Sequence, residues 1–231
     1  MNLNIVKIIF KKEFKENIDL KYLKRILLIL FLIPAIILIT AGKGEGYGVE
    51  SFIFLTPVFS GIFFYVFSFQ FLQRRFFEVK AINGFQPLLV LPITIKEIWF
   101  ANFLSIITAS YLLILIMNVL ILISGVIKLG IVFLTVFSLK NIILSFINPM
   151  IISAVIIISS YVVLRFKDHR TIEYFNTALM VGLILGFTAV PKFNWFSKIN
   201  MDLVAIIGLI LAIIIDIIFY CLIGRIKKEM L

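Results

Sequence analysis

The sequence predicts an all-α integral membrane protein with six transmembrane helices. An N-terminal interfacial amphipathic helix precedes them, a cytoplasmic helix lies between spans 2 and 3, and both termini are cytoplasmic. Three observations predict this. The 231 residues are 62% hydrophobic with a mean hydropathy of +1.16, far above the apolar share of about 45–50% in soluble domains. Several apolar runs reach the roughly 20 residues needed to cross about 30 Å of hydrocarbon. With six spans and the N-terminus inside, 17 of the 22 Lys and Arg residues fall on the cytoplasmic side, as basic residues in membrane proteins do.

That bias accounts for the net charge of +10 without nucleic acid as a partner; the partner it implies is the lipid bilayer. Residues 1–24 begin the chain with Leu3, Val6, Ile9, Phe10 and Phe14 on one helical arc and Lys7, Lys11, Lys12 and Lys15 on the other. This is the pattern of a helix lying in the membrane interface, lysines toward anionic headgroups; a solvated basic tail is the plainer reading. The first span, about 25–41, follows a basic region as a signal peptide does but lacks a small-residue cleavage site, so it is read as retained. GKGEGYG (42–48) is a short external turn, since no Ser or Thr follows Gly42-Lys43 as a phosphate-binding loop requires.

The second span, about 51–72, is rich in phenylalanine. Thr56, Ser60, Phe63 and Phe67 recur at helical spacing and form one stripe, which either packs against another helix or faces a transport path. Residues 74–97 then interrupt the apolar pattern with Arg74, Arg75, Glu78, Lys80, Lys96 and Glu97. Leu91-Pro92 reads as a break between helical pieces, because proline disfavours the α region in the residue before it. Thr94-Ile95-Lys96-Glu97 fits a capping box, in which the Thr94 hydroxyl and Glu97 carboxylate satisfy each other's backbone N–H groups. A short amphipathic helix, a proline break and a capped membrane helix make a firm lever on the cytoplasmic face.

The third span, 98–124, contains Asn102 and Asn118. The fourth, about 142–164, is expected to break near Asn148-Pro149. A basic turn at 165–173 leads to the fifth span, about 174–190, which carries Asn176, and Trp195 precedes the sixth, about 202–223. Asp216 lies inside that last span. An ionisable group there is costly and is a functional candidate by default; the plainer reading is a hydrogen bond to a neighbouring helix, through Asn118 or Asn102, or a protonated acid. One histidine and one cysteine leave no ligand set for a zinc site.

Between Glu78 and Asn102 the chain resembles the permease subunits of type-2 exporters of the ATP-binding-cassette superfamily. Their first cytoplasmic loop reads E…G-T-x-E-x-L-L-x-x-P-[VI]-[ST]-x-x-E-I-x-x-x-K. Here Glu78, Leu88, Leu89, Pro92, Ile93, Thr94, Glu97 and Ile98 fall in register. The motif glycine falls on Asn83 with Gly84 one place late, its second glutamate is Gln86, and its closing lysine is Asn102. The stretch 164–179 is similar to the family's basic second cytoplasmic turn, so the resemblance covers essentially the whole chain.

The resemblance implies a non-enzymatic permease subunit of the plasma membrane of a prokaryotic cell. It would pair with a second copy or a paralogue and be driven by a separate ATPase chain docked on the helix at 80–92. It implies ATP and magnesium in that partner and no cofactor in this chain, with Glu78, Asn83, Gly84, Gln86, Leu88, Leu89, Pro92, Thr94 and Glu97 coupling the two. Thr56, Ser60, Phe63, Phe67, Asn176 and Asp216 are the candidates for the transport path, and the Phe-rich second span suits an amphipathic or apolar cargo. An ion-coupled transporter using Asp216, or a membrane scaffold, are the alternatives.

Overall fold

The computed structural model describes residues 2–18, 49–78, 93–129, 139–165, 174–175, 177–179, 181–182 and 201–226. Five long helices account for most of them, and no strand occurs among the described residues. Helix α1 is Leu3–Asn17, α2 is Val49–Leu72, α3 is Ile95–Leu129, α4 is Leu139–Arg165 and α5 is Met201–Ile223. Three of these hold stretches long and apolar enough to cross a membrane: Ile95–Ile127, Ile143–Arg165 and Ala205–Ile223. The expected first span, 25–41, lies outside the described residues, and so does most of the fifth.

Each helix end has a local cause. Asn2 caps α1, its Oδ1 accepting from the Asn4 N–H at 3.1 Å. Helix α2 runs into a π-helical turn, Gln73–Glu78. Helix α3 starts where the sequence requires: the Thr94 N–H donates to Glu97 Oε2 at 3.0 Å, and the Glu97 N–H to Thr94 Oγ1 at 3.3 Å. Ile93 and Ile98 flank that cap and are both buried in the core, the positions of a hydrophobic staple. At 35 residues, α3 is about 52 Å long, well beyond the roughly 30 Å of a hydrocarbon core.

The expected break at Asn148-Pro149 is not found. Helix α4 continues through Pro149. A membrane helix tolerates proline when neighbours re-satisfy its backbone, and polar side chains cluster on both sides of it. The Tyr111 hydroxyl donates to the Phe146 carbonyl at 3.3 Å, and the Ser153 hydroxyl to the Met150 carbonyl at 2.6 Å.

Helix α2 packs against both α3 and α4, α5 packs mainly against α4, and α1 against α3. The largest of the fully buried side chains are aromatic: Phe64, Tyr65, Phe67, Phe71, Phe76 and Trp99. Much of the phenylalanine of the second span therefore fills the core between α2, α3 and α4.

Side-chain pairings give the helix directions. Trp99 meets Ser160 and Tyr111 meets Phe146, so α3 and α4 are antiparallel. Phe64 lies edge-on to Tyr111 at 4.9 Å, while Arg74, just past α2, reaches Glu16 beside the Asn17–Ser105 bond. Helices α2 and α3 are thus antiparallel too. Helices α4 and α5 run parallel: an added Cβ on Gly208 would touch Ile151, and Phe219 packs edge-on to Tyr161 at 5.3 Å.

Candidate functional site

The start of α3 is where α1, α4 and α5 converge. Glu97 is buried, and its second oxygen, Oε1, accepts a hydrogen bond from the backbone N–H of Asn2. One carboxylate therefore closes the cap of α3 and ties the start of α1 to it. Both oxygens serve as acceptors, as an ionised carboxylate allows.

The neighbouring residues hold the remaining helices. The Lys96 amine sits 5.1 Å from the centroid of the Tyr220 ring, a cation–π contact. Its aliphatic stem fills the space over Gly224, where any Cβ would collide with it, so glycine at the end of α5 admits the lysine. The Trp99 indole N–H donates to Ser160 Oγ at 3.0 Å. Its ring stacks on Phe103 at 5.0 Å and tilts toward Tyr220 at 6.2 Å. Within six residues, Thr94 to Trp99, the chain contacts α1, α4 and α5.

Helix α1 is tied twice more. Asn17, fully buried at its end, donates from Nδ2 to Ser105 Oγ at 2.7 Å. Arg74 donates to the Glu16 carbonyl at 3.5 Å, a cation at a helix C-terminus, where the backbone dipole favours it. Helix α1 is about 22 Å long, whereas Glu97 and Ser105 lie only about 12 Å apart along α3, so α1 crosses the first turns of α3 obliquely.

The expected apolar arc of α1 is thus partly spent on protein rather than lipid. Val6 is buried, and Ile5, Ile9 and Phe14 pack against the core, while Leu3 and Ile8 are exposed. The four lysines lie on the exposed side, as expected.

Of the residues expected to couple to an ATPase, the structure brings Thr94 and Glu97 into this junction, and Glu78 closes the π-helical turn. Asn83, Gly84, Gln86, Leu88, Leu89 and Pro92 lie outside the described residues, as does Asn176. Of the path candidates, Thr56 lies in α2; Ser60 and Phe67 are fully buried and Phe63 half-buried, with the Phe63 and Phe67 rings 6.0 Å apart.

Asp216 does reach a neighbouring helix, but through Ser153 of α4, whose Oγ lies 3.3 Å from Oδ2. Asn102 and Asn118 are not its partners: Asn102 donates to the Ile98 carbonyl of its own helix at 3.1 Å, and the side-chain oxygen of Asn118 has no partner among the described residues.

The sequence reading passed over Asn2, Asn17, Ser105, Trp99 and Gly224. Two signals were available. Asn2 precedes an apolar-periodic run, an N-cap position. Asn17 shares a helical face with Val6, Phe10 and Glu13, where a buried amide needs a partner.

The fold and this junction define an all-helical, membrane-associated protein. No family model, curated protein or solved structure matches the chain.

Proposed function

We propose that this chain is the transmembrane permease subunit of an ATP-binding-cassette exporter, moving an amphipathic or apolar substrate across the plasma membrane. Its motor is a separate ATPase chain that docks on the 80–92 segment, and its membrane unit is a dimer of this chain or of this chain with a paralogue. The observation that carries the reading is Glu97. A single buried carboxylate, within the segment that resembles the exporters' first cytoplasmic loop, fixes the starts of α1 and α3 together.

A displacement applied before Thr94 enters a capped, stapled helix rather than a slack loop. It passes to α1 through Asn2, to α5 through Lys96 and to α4 through Trp99. Interfaces with discrete packing arrangements convert such shifts into larger rearrangements.

The helix directions support the six-span topology. The chain leaves α1 at the junction end, yet α2 begins about 36 Å from that end by helical rise. It leaves α4 at the same end, and α5 begins at the opposite one. Two changes of end are therefore required outside α2 to α5, and the apolar runs at 25–41 and 174–190 fall in those two places.

The test is purification of the tagged protein in mild detergent, with co-purifying chains identified and ATP hydrolysis assayed. A stoichiometric ATPase chain with a phosphate-binding loop is expected, and it should be lost from a folded Leu88→Asp/Leu89→Asp variant. A stable protein that carries no ATPase, and recruits none on co-expression with ATPase chains of the same cell, overturns the reading.

A further inference from the structure

Asp216 stands about 12 Å inside the end of α5 at Gly224 by helical rise, the one carboxylate between Ala205 and Ile223. Its hydrogen bonding is incomplete. Oδ1 is buried and has no partner among the described residues. Oδ2 faces only Ser153 Oγ at 3.3 Å, and that hydroxyl has a shorter contact, 2.6 Å, with the Met150 carbonyl. A serine hydroxyl carries a single proton, so the carbonyl and the carboxylate compete for one donor.

No described cation compensates. The described parts of α2, α3 and α4 that cross the core carry no Lys or Arg between 60 and 72, 98 and 127, or 143 and 164. Lys96, which reaches the end of α5, is engaged on the Tyr220 ring. Around the carboxylate the surface is open and apolar: Ile213 and Ile217 on α5 and Met150 on α4 are each about half exposed.

We infer that Asp216 and Ser153 form a binding site for the charged head of an amphipathic cation, an ammonium-type group with N–H donors on an apolar body. With the Asp216 side chain turned toward that open surface, the head supplies the donors that Oδ1 and Oδ2 lack, and the body lies along the isoleucines of α5 and Met150. The serine hydroxyl, bonded to the Met150 carbonyl, presents its oxygen to the same ammonium group. As an assignment of substrate class this rests on the permease reading, but the site itself is a property of this chain alone.

The experiment uses the full-length protein in lipid nanodiscs, without any ATPase. Dicyclohexylcarbodiimide, an apolar reagent that adds to carboxyl groups, is applied, and modification of Asp216 is measured by mass spectrometry. Octylammonium is the probe, and octanol, with the same chain and no charge, is the control. Asp216 is expected to be modified, octylammonium to protect it, and octanol to leave it unchanged.

Ser153→Ala should weaken protection by about tenfold or more, the size of a hydrogen bond to a charged group, while Asp216→Glu retains charge-dependent octylammonium protection of the residue at 216. Modification of Asp216 that octylammonium and octanol affect alike, or no modification at all, overturns the site and leaves Asp216 as a tie between α4 and α5. Because no motor is present, failure here is distinct from failure to recruit an ATPase.

Discussion

Removing the Glu97 carboxylate strips acceptors from two backbone N–H groups at once, those of Thr94 and Asn2. Thr94 supplies one acceptor from an exposed side chain. The two halves of the same capping box therefore differ in consequence. Thr94→Ala should cost about 1 kcal/mol, a usual N-cap loss. Glu97→Ala should cost about 2 kcal/mol, because two part-buried backbone donors lose a charged acceptor. Apparent melting temperatures in detergent, read by tryptophan fluorescence, give the ranking. Equal losses would mean that the Asn2 bond adds nothing. On the permease reading, Thr94→Ala also weakens transport more than assembly with the ATPase, since a loosened cap absorbs motion while the docking surface stays intact.

At the scale of the element, α5 packs mainly on one neighbour, α4. Its face toward α4 runs through Ala205, Gly208, Ala212, Asp216 and Phe219, of which the first three are small residues that let two helices approach closely. Ala205 and Ala212 are buried, and most of the isoleucines on its other sides are about half exposed. The parallel direction of this pair is testable. In a Cys221→Ser background, Ile151→Cys with Gly208→Cys should form a disulfide: an ideal Cβ at 208 lies 3.6 and 3.8 Å from Ile151 Cγ1 and Cγ2, the two atoms bonded to the Ile151 Cβ, which brings the two Cβ atoms near the roughly 3.5–4.5 Å that a disulfide bridges. Ile151→Cys with Phe219→Cys should not, because parallel packing separates those positions by about 16 Å along the axis. Cross-linking of the second pair and not the first would reverse the helix. Helix α4 shows the limit of reading an element from sequence: Asn148-Pro149 signals a break, but the helix continues through it, packed between α2 and α5.

For the whole molecule, the starts of α1 and α3 and the end of α5 share one end of the bundle. Asn2 meets Glu97, and Gly224 meets Lys96. Single cysteines at Asn4 and Arg225 should therefore react with a membrane-impermeant maleimide from the same side of the membrane, and one at Lys128, at the other end of α3, from the opposite side. On the permease reading, which expects cytoplasmic termini, the first two react only after the cells are opened. Reaction of Asn4 and Arg225 from different sides would contradict the bundle, and reaction of both in intact cells would invert its orientation. The sequence by itself determined the helical class, the bounds of α2, α4 and α5 to within a few residues, and the capping box. Those features depend on runs of apolar residues and on contacts three or four residues apart. Tertiary structure decided that the capping box also clasps α1, that Asn17 answers Ser105, that Asp216 faces Ser153 and that the phenylalanines of α2 form the core. Those partners lie 95, 88 and 63 residues apart for the first three, so helix packing, which no local pattern encodes, sets which polar group meets which.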